Sequence, residues 1–237
     1  MKMIDAMPDR TRSTTRAPQP ARIPSSLIAA AALWLVAGPA TATPLISEVF
    51  YDAVGSDDGQ VFVELAGLSG TVLDGLVVEG INGSNGAAGP SITLSGVIGI
   101  DGLFVLADLD SGGATAVPGA DQVVNFDFQN GPDSVVLRDG TTVLDAVGYG
   151  SFGVGEIFAG EGAPTPDAAA GASIARLFAD VDTDDNAFDF AVLDTPTPGF
   201  ASFSVPEPGS GTLGLAGLIV LGALRARAGR NRGSLRC

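Results

Sequence analysis

An antiparallel all-β sandwich is the fold class this sequence predicts, from three observations. The apolar residues cluster in short β-branched runs, turn-forming clusters separate those runs, and no segment repeats its apolar residues at helical spacing. The predicted strands begin at Leu45-Ile46-Ser47-Glu48-Val49-Phe50-Tyr51 and continue with Val61-Phe62-Val63-Glu64-Leu65, each too short for a buried helix. Val72 to Val78, Leu103 to Ala107, Ser134 to Leu137 and Thr142 to Val147 follow. Ser56-Asp57-Asp58-Gly59 and Asn130-Gly131-Pro132-Asp133 supply turns, and Asp139-Gly140 between two apolar runs predicts a hairpin. Gly148 to Ala172, rich in Gly, Pro and Ala, reads as a long surface loop.

Both ends of the chain differ in kind from this middle. Lys2, Arg10, Arg12, Arg16 and Arg22 precede an apolar run from Leu27 to Gly38, and Ala40-Thr41-Ala42 has the small-x-small pattern of a cleavable secretory signal. Cleavage after Ala42 is expected, so residues 1–42 are a leader that engages the secretion translocon. At the other end stand Val205-Pro206-Glu207-Pro208, the apolar run Gly211 to Leu224, and a tail with Arg225, Arg227, Arg230, Arg232 and Arg236. As a helix, fourteen apolar residues would rise about 21 Å, against a hydrocarbon core of roughly 30 Å. That is short for a permanent anchor. The arginines favour the cytoplasmic side, which leaves everything before Val205 on the far side of the membrane.

This terminal pattern resembles the PEP-CTERM sorting signal of Gram-negative bacteria. The resemblance implies processing by an exosortase-type enzyme of the inner membrane, followed by residence in the cell envelope, on the cell surface or in the extracellular matrix. Val205, Pro206, Glu207, Pro208, Arg225 and Arg227 would then be the recognised residues, together with Ala42 for the leader.

With both ends set aside, residues 43–204 hold 24 acidic residues and only Arg138 and Arg176 as bases, a formal charge of −22 against −15 for the whole chain. Such a surface disfavours nucleic acid. It attracts divalent cations, or keeps a protein soluble at high salt. The lone Cys237 and the lone Trp34 also lie in the end segments, so disulfides and thiolate metal sites are excluded from the middle. Its length suits one domain with a sizeable core.

An ordered series within the middle resembles the lamin tail domain. It runs Ile46-Ser47-Glu48-Val49, Val61 to Leu65, Asn130 to Leu137 and Val143-Leu144-Asp145-Ala146-Val147-Gly148-Tyr149. Ser173-Ile174-Ala175-Arg176-Leu177, Asp184-Asp185-Asn186-Ala187-Phe188-Asp189-Phe190 and Thr195-Pro196-Thr197-Pro198-Gly199 complete it. The resemblance spans about Pro44 to Phe200 and implies an immunoglobulin-like β-sandwich. Residues 80–99 carry more Gly, Ala and Ser than that pattern leads one to expect. No Trp follows the second strand, and Leu76 is expected to fill the core position.

Residues 43–204 contain no His, Cys or Lys, which removes Ser-His-Asp and Cys-His catalysis, Schiff-base lysines and imidazole zinc sites. Carboxylates remain. Glu48 and Glu64 lie on neighbouring strands, where a paired-carboxylate mechanism would need them; the lamin tail resemblance implies instead a structural motif in which they bond backbone groups or Arg176, with Glu64 the expected partner of Arg176. Asp180, Asp182 and Asp184 alternate along the chain as the first half of a calcium loop does, making Ca²⁺ the one cofactor suggested. Asp185 stands where such a loop needs Gly and Ala191 where it needs a bidentate Glu, so an EF-hand is excluded. Asx turns at Asp184 and Asn186 are the competing expectation, and Asp108 and Asp110 form a lesser cluster.

These readings converge on an exported, noncatalytic envelope or matrix module serving adhesion or biofilm architecture, for which an envelope or matrix polysaccharide is a candidate partner. A calcium-dependent binding module is the alternative. A carboxylate- or metal-dependent hydrolase is the remaining one.

Overall fold

Ten strands in two sheets account for nearly all the regular structure of residues 43–204, the residues that the computed structural model describes. They are β1 (Leu45–Phe50), β2 (Phe62–Ala66), β3 (Val77–Asn82), β4 (Ala88–Thr93), β5 (Leu103–Asp108), β6 (Gln122–Val124), β7 (Asp133–Asp139), β8 (Thr142–Tyr149), β9 (Ser173–Arg176) and β10 (Phe190–Leu193). One four-residue helix, α1 (Asn186–Asp189), precedes β10. The leader with Ala42, and the terminal segment with Val205 to Pro208, Arg225 and Arg227, lie outside the described residues. No helix among the described residues is long and apolar enough to cross a membrane.

The larger sheet runs β10-β9-β1-β2-β5-β6 and the smaller one β4-β3-β7-β8. All pairs are antiparallel except β5 with the three-residue edge strand β6. Both sheets contribute to one apolar core: Ile46, Val49, Leu65 and Leu106 from the larger, Val78, Val135, Leu137 and Val147 from the smaller. This is the all-β sandwich expected. The larger sheet also buries its outer face, where Phe50, Phe62, Val105 and Ala107 pack with Val117. Its central strands are therefore buried on both sides.

The predicted strands from Leu45, Val61, Leu103, Ser134 and Thr142 form within a residue or two of their expected places, and the Asp139-Gly140 hairpin closes with Asp139 paired to Thr142. Val72 to Val78 does not form one strand. Gly75 takes a positive φ of 88°, the chain turns there, and β3 starts at Val77. Leu73 is the fully buried side chain of that stretch, while Leu76 is half-buried against the core. Strand β4 escapes a periodicity reading because Ala88-Gly89-Pro90 carries little β propensity; Pro90 is tolerated on an edge strand. From Gly150 the Gly148–Ala172 stretch is the long loop expected, and it packs on the sandwich through Thr165, Ala168 and Ala172, which are buried.

Candidate functional site

Arg176, the last residue of β9, is the centre of the most polar part of the interior. Its side chain is fully buried. Nε donates to the Ile46 carbonyl at 3.1 Å, and Nη2 to both carboxylate oxygens of Asp145 at 3.0 Å. Nη1 donates to Asp189 at 2.9 Å, Asp182 at 3.2 Å and the Val181 carbonyl at 3.1 Å. The guanidinium also lies 4.6 Å from the centroid of the Phe190 ring. Asp145 belongs to β8, so this fork joins the two sheets. Asp145 in turn accepts from the Ile46 N–H at 2.5 Å and from its neighbour Ala146 N–H at 2.9 Å. Burial raises its carboxyl above the usual carboxylate range, with the Arg176 charge and the Ile46 N–H pulling it back.

The residues around α1 lock this centre in place. Asp185 caps the helix through the Ala187 N–H. Asp189 accepts from the N–H and hydroxyl of Thr183 at 2.8 and 2.7 Å. Asn186 is fully buried; it accepts from the N–H groups of Gly148 and Glu161 and donates to the Ala146 carbonyl. The expected Asx turns are thus placed differently: Asp182 accepts from the Asp184 N–H at 3.1 Å, and Asn186 is a buried clasp. Asp184 takes a positive φ of 56°, a conformation Asp tolerates better than most residues.

Of the three predicted calcium ligands, one belongs to a carboxylate group of the required kind. Oxygens of Asp145, Glu161 and Asp182 lie within 4.8 Å of one another. Asp180 points elsewhere, accepting from the Ser204 N–H and hydroxyl at 2.6 Å each. Burial disfavours its ionised form, but the two Ser204 bonds prevail and hold its carboxyl below the usual value. Glu161 was invisible to sequence reasoning, because Gly160-Glu161-Gly162 sits in an aperiodic loop. Its Oε2 is buried without a hydrogen-bond partner. Burial, then the Asp145 and Asp182 charges, push it up to about 8. The donor set is hard oxygen, suited to Ca²⁺ or Mg²⁺. Three carboxylates fall short of the six to eight oxygens Ca²⁺ takes, and Arg176 already holds Asp145 and Asp182.

Glu48 and Glu64 do share one face, as direct cross-strand partners in the β1–β2 ladder. Their ligands correct the expected Glu64–Arg176 bond. Glu64 accepts from the Ser47 hydroxyl at 2.8 Å and the Gly199 N–H at 2.7 Å. Glu48 accepts from the Ser173 hydroxyl at 2.6 Å and from the N–H and hydroxyl of Thr197 at 2.9 and 2.8 Å. Arg176 reaches Asp145 instead because it projects toward β8. Burial raises both glutamates, and Glu64, with the Glu48 charge also acting on it, rises to about 7. Together they fasten a strap, residues 195–204, over the outer face of the larger sheet, above a half-open pocket of about 280 Å³. The other base, Arg138, pairs with Glu79 at 2.9 Å. Asp108 accepts from the N–H groups of Gly59 and Phe126, in two other loops, and Asp110 from those of Gly112 and Ala114 in its own.

The chain matches no protein-family model, no curated protein and no solved structure.

Proposed function

We propose that this protein is an exported, noncatalytic module of a Gram-negative cell envelope or extracellular matrix, sorted through its C-terminal segment and serving adhesion or biofilm architecture. The observation that carries this reading is how the internal carboxylates are used. Asp145 and Asp189 hold Arg176, while Glu48 and Glu64 hold the strap. A general acid or base needs a free oxygen within reach of a substrate proton, and all four oxygens of the glutamate pair accept from, or stand beside, structural donors. The resemblance to lamin tail domains supports the same reading, since its quoted segments carry these ties: Asp145, Arg176, Asp189 and Thr197. The partner of an exported module of this kind would be an envelope or matrix polysaccharide.

Mass spectrometry of the protein from wild-type and exosortase-deficient cells tests the sorting. A new N-terminus after Ala42 is expected in both strains and a new C-terminus near Pro206-Glu207-Pro208 in the wild type only; an intact Cys237 in wild-type cells would overturn the sorting.

A calcium-dependent binding module is favoured by one observation, the unpartnered Glu161 oxygen beside Asp145 and Asp182. On that reading millimolar calcium raises the melting temperature and Glu161→Gln removes the response. No shift beyond a matched salt control would sink it.

A further inference from the structure

The described residues expose fourteen large apolar side chains, and six of them gather at one end of the sandwich: Leu68, Val72, Val97, Ile100, Phe178 and Phe203. Backbone bonds bring their loops together. Gly67 N–H donates to Gly102 O, Gly70 N–H to Ile98 O and Ile98 N–H to Thr71 O, each at 2.9 Å. Val72 and Val97 form an isolated bridge. Ile100 occupies the tip of a tight turn closed by Gly102 N–H to Gly99 O at 3.1 Å and is 98 % exposed. Phe203 lies over Gly102, where an added Cβ would stand 3.1 Å from its ring. Phe178 precedes Ala179, which packs with Ala66 and Leu103 and donates its N–H to Ser202 O.

Both ends of the described chain leave the fold here. Leu45 opens β1 opposite Ala66, and Pro44 lies against Gly67; Ser204 is pinned to Asp180. Six residues separate Ser204 from the apolar run beginning at Gly211, a reach of about 20 Å even when fully extended. Four separate Gly38 from Thr43, about 14 Å. An apolar patch of this kind on an otherwise strongly acidic domain marks an interaction surface, and the apolar runs of the sequence name its occupant.

We propose that in the unprocessed chain this end of the sandwich rests on the surface of a zwitterionic phospholipid bilayer, with Ile100 as its deepest side chain. The inference builds on the sorting reading, because the Gly211–Leu224 run brings the bilayer within reach. Asp74, Asp101 and Asp180 border the patch, so anionic headgroups are disfavoured and insertion stays at headgroup depth. The opposite end points away: there Tyr149 stacks on Tyr51 at 4.0 Å, and the loop after Tyr149 carries the fully exposed Val154.

The test uses the full chain with Cys237→Ser, reconstituted in phosphatidylcholine vesicles. Ile100→Cys and, separately, Val154→Cys carry an environment-sensitive fluorophore. A blue shift at position 100, quenched by brominated phosphatidylcholine, with neither effect at position 154, is the expected result. Equal behaviour at both positions overturns the inference. Flotation of the vesicles is read separately: a chain that floats with an unquenched label at position 100 overturns the lipid contact, a chain that does not float overturns it as well, and the sorting reading is judged apart from both by the termini found in cells.

Discussion

Arg176 of β9 and Asp145 of β8 form a two-bonded pair at 3.0 Å that joins the two sheets through the interior, with both side chains fully buried. Removing Arg176 strands Asp145 and Asp189 as uncompensated buried charges, whereas removing the Asp145 charge leaves Arg176 paired with Asp189 and Asp182. Arg176→Met should cost about 3–5 kcal/mol of unfolding free energy, and Asp145→Asn less, read by chemical denaturation. A loss under about 1 kcal/mol, the value of an exposed pair, would show that the pair does not hold the sheets.

Glu64 gives the stability a pH dependence of definite sign. Its carboxyl rises from 4.5 to about 7 in the fold, so the native state binds more protons than the unfolded chain between these values. Its contribution is complete below about pH 4.5 and lost as pH rises through 7, amounting to about 3 kcal/mol. Glu48 and Glu161, both raised, act in the same direction. The protein should therefore unfold at higher denaturant at pH 5 than at pH 8, and Glu64→Gln should shrink that difference. An unchanged difference in the variant would assign the effect elsewhere.

Gly160 has no room for a side chain. A Cβ there would overlap the Asn186 carboxamide oxygen and stand 2.5 Å from the Gly148 nitrogen, displacing the clasp between the long loop and α1. Gly160→Ala is expected to cost about 1–3 kcal/mol. Gly89→Ala, whose Cβ would meet only backbone at 3.5 Å or more, is the control and should change stability by less than about 0.5 kcal/mol.

Thr197→Ala removes the hydroxyl that satisfies Glu48 Oε2, leaving a buried acceptor unpaired at a cost of about 1–3 kcal/mol. The strap should then become more sensitive to limited proteolysis than the sheets. Equal protection in variant and wild type would place the strap's hold in Glu64 and Asp180 alone.

The strands at Leu45, Val61, Leu103, Ser134 and Thr142 were legible in the sequence because alternation, β-branching and Asp-Gly turns act over a few residues. Strand β4 was not, since an edge strand carrying Pro90 and Gly89 takes its conformation from pairing with β3. For the same reason the long loop's packing was not legible: nothing near Gly160 or Glu161 announces that Asn186 will bond the neighbouring backbone.

By itself the sequence determined the all-β class, the hairpin at Asp139-Gly140, the absence of His, Cys and Lys between the end segments, and the charge of −22 that follows. Tertiary structure alone decided which acids meet. Asp145 lies 31 residues from Arg176, whereas Glu64, the partner that the lamin tail resemblance suggested, turns outward to Gly199. A carboxylate's role depends on which face of its strand the pleat presents and on which sheet lies opposite, and those are long-range facts that no local pattern encodes.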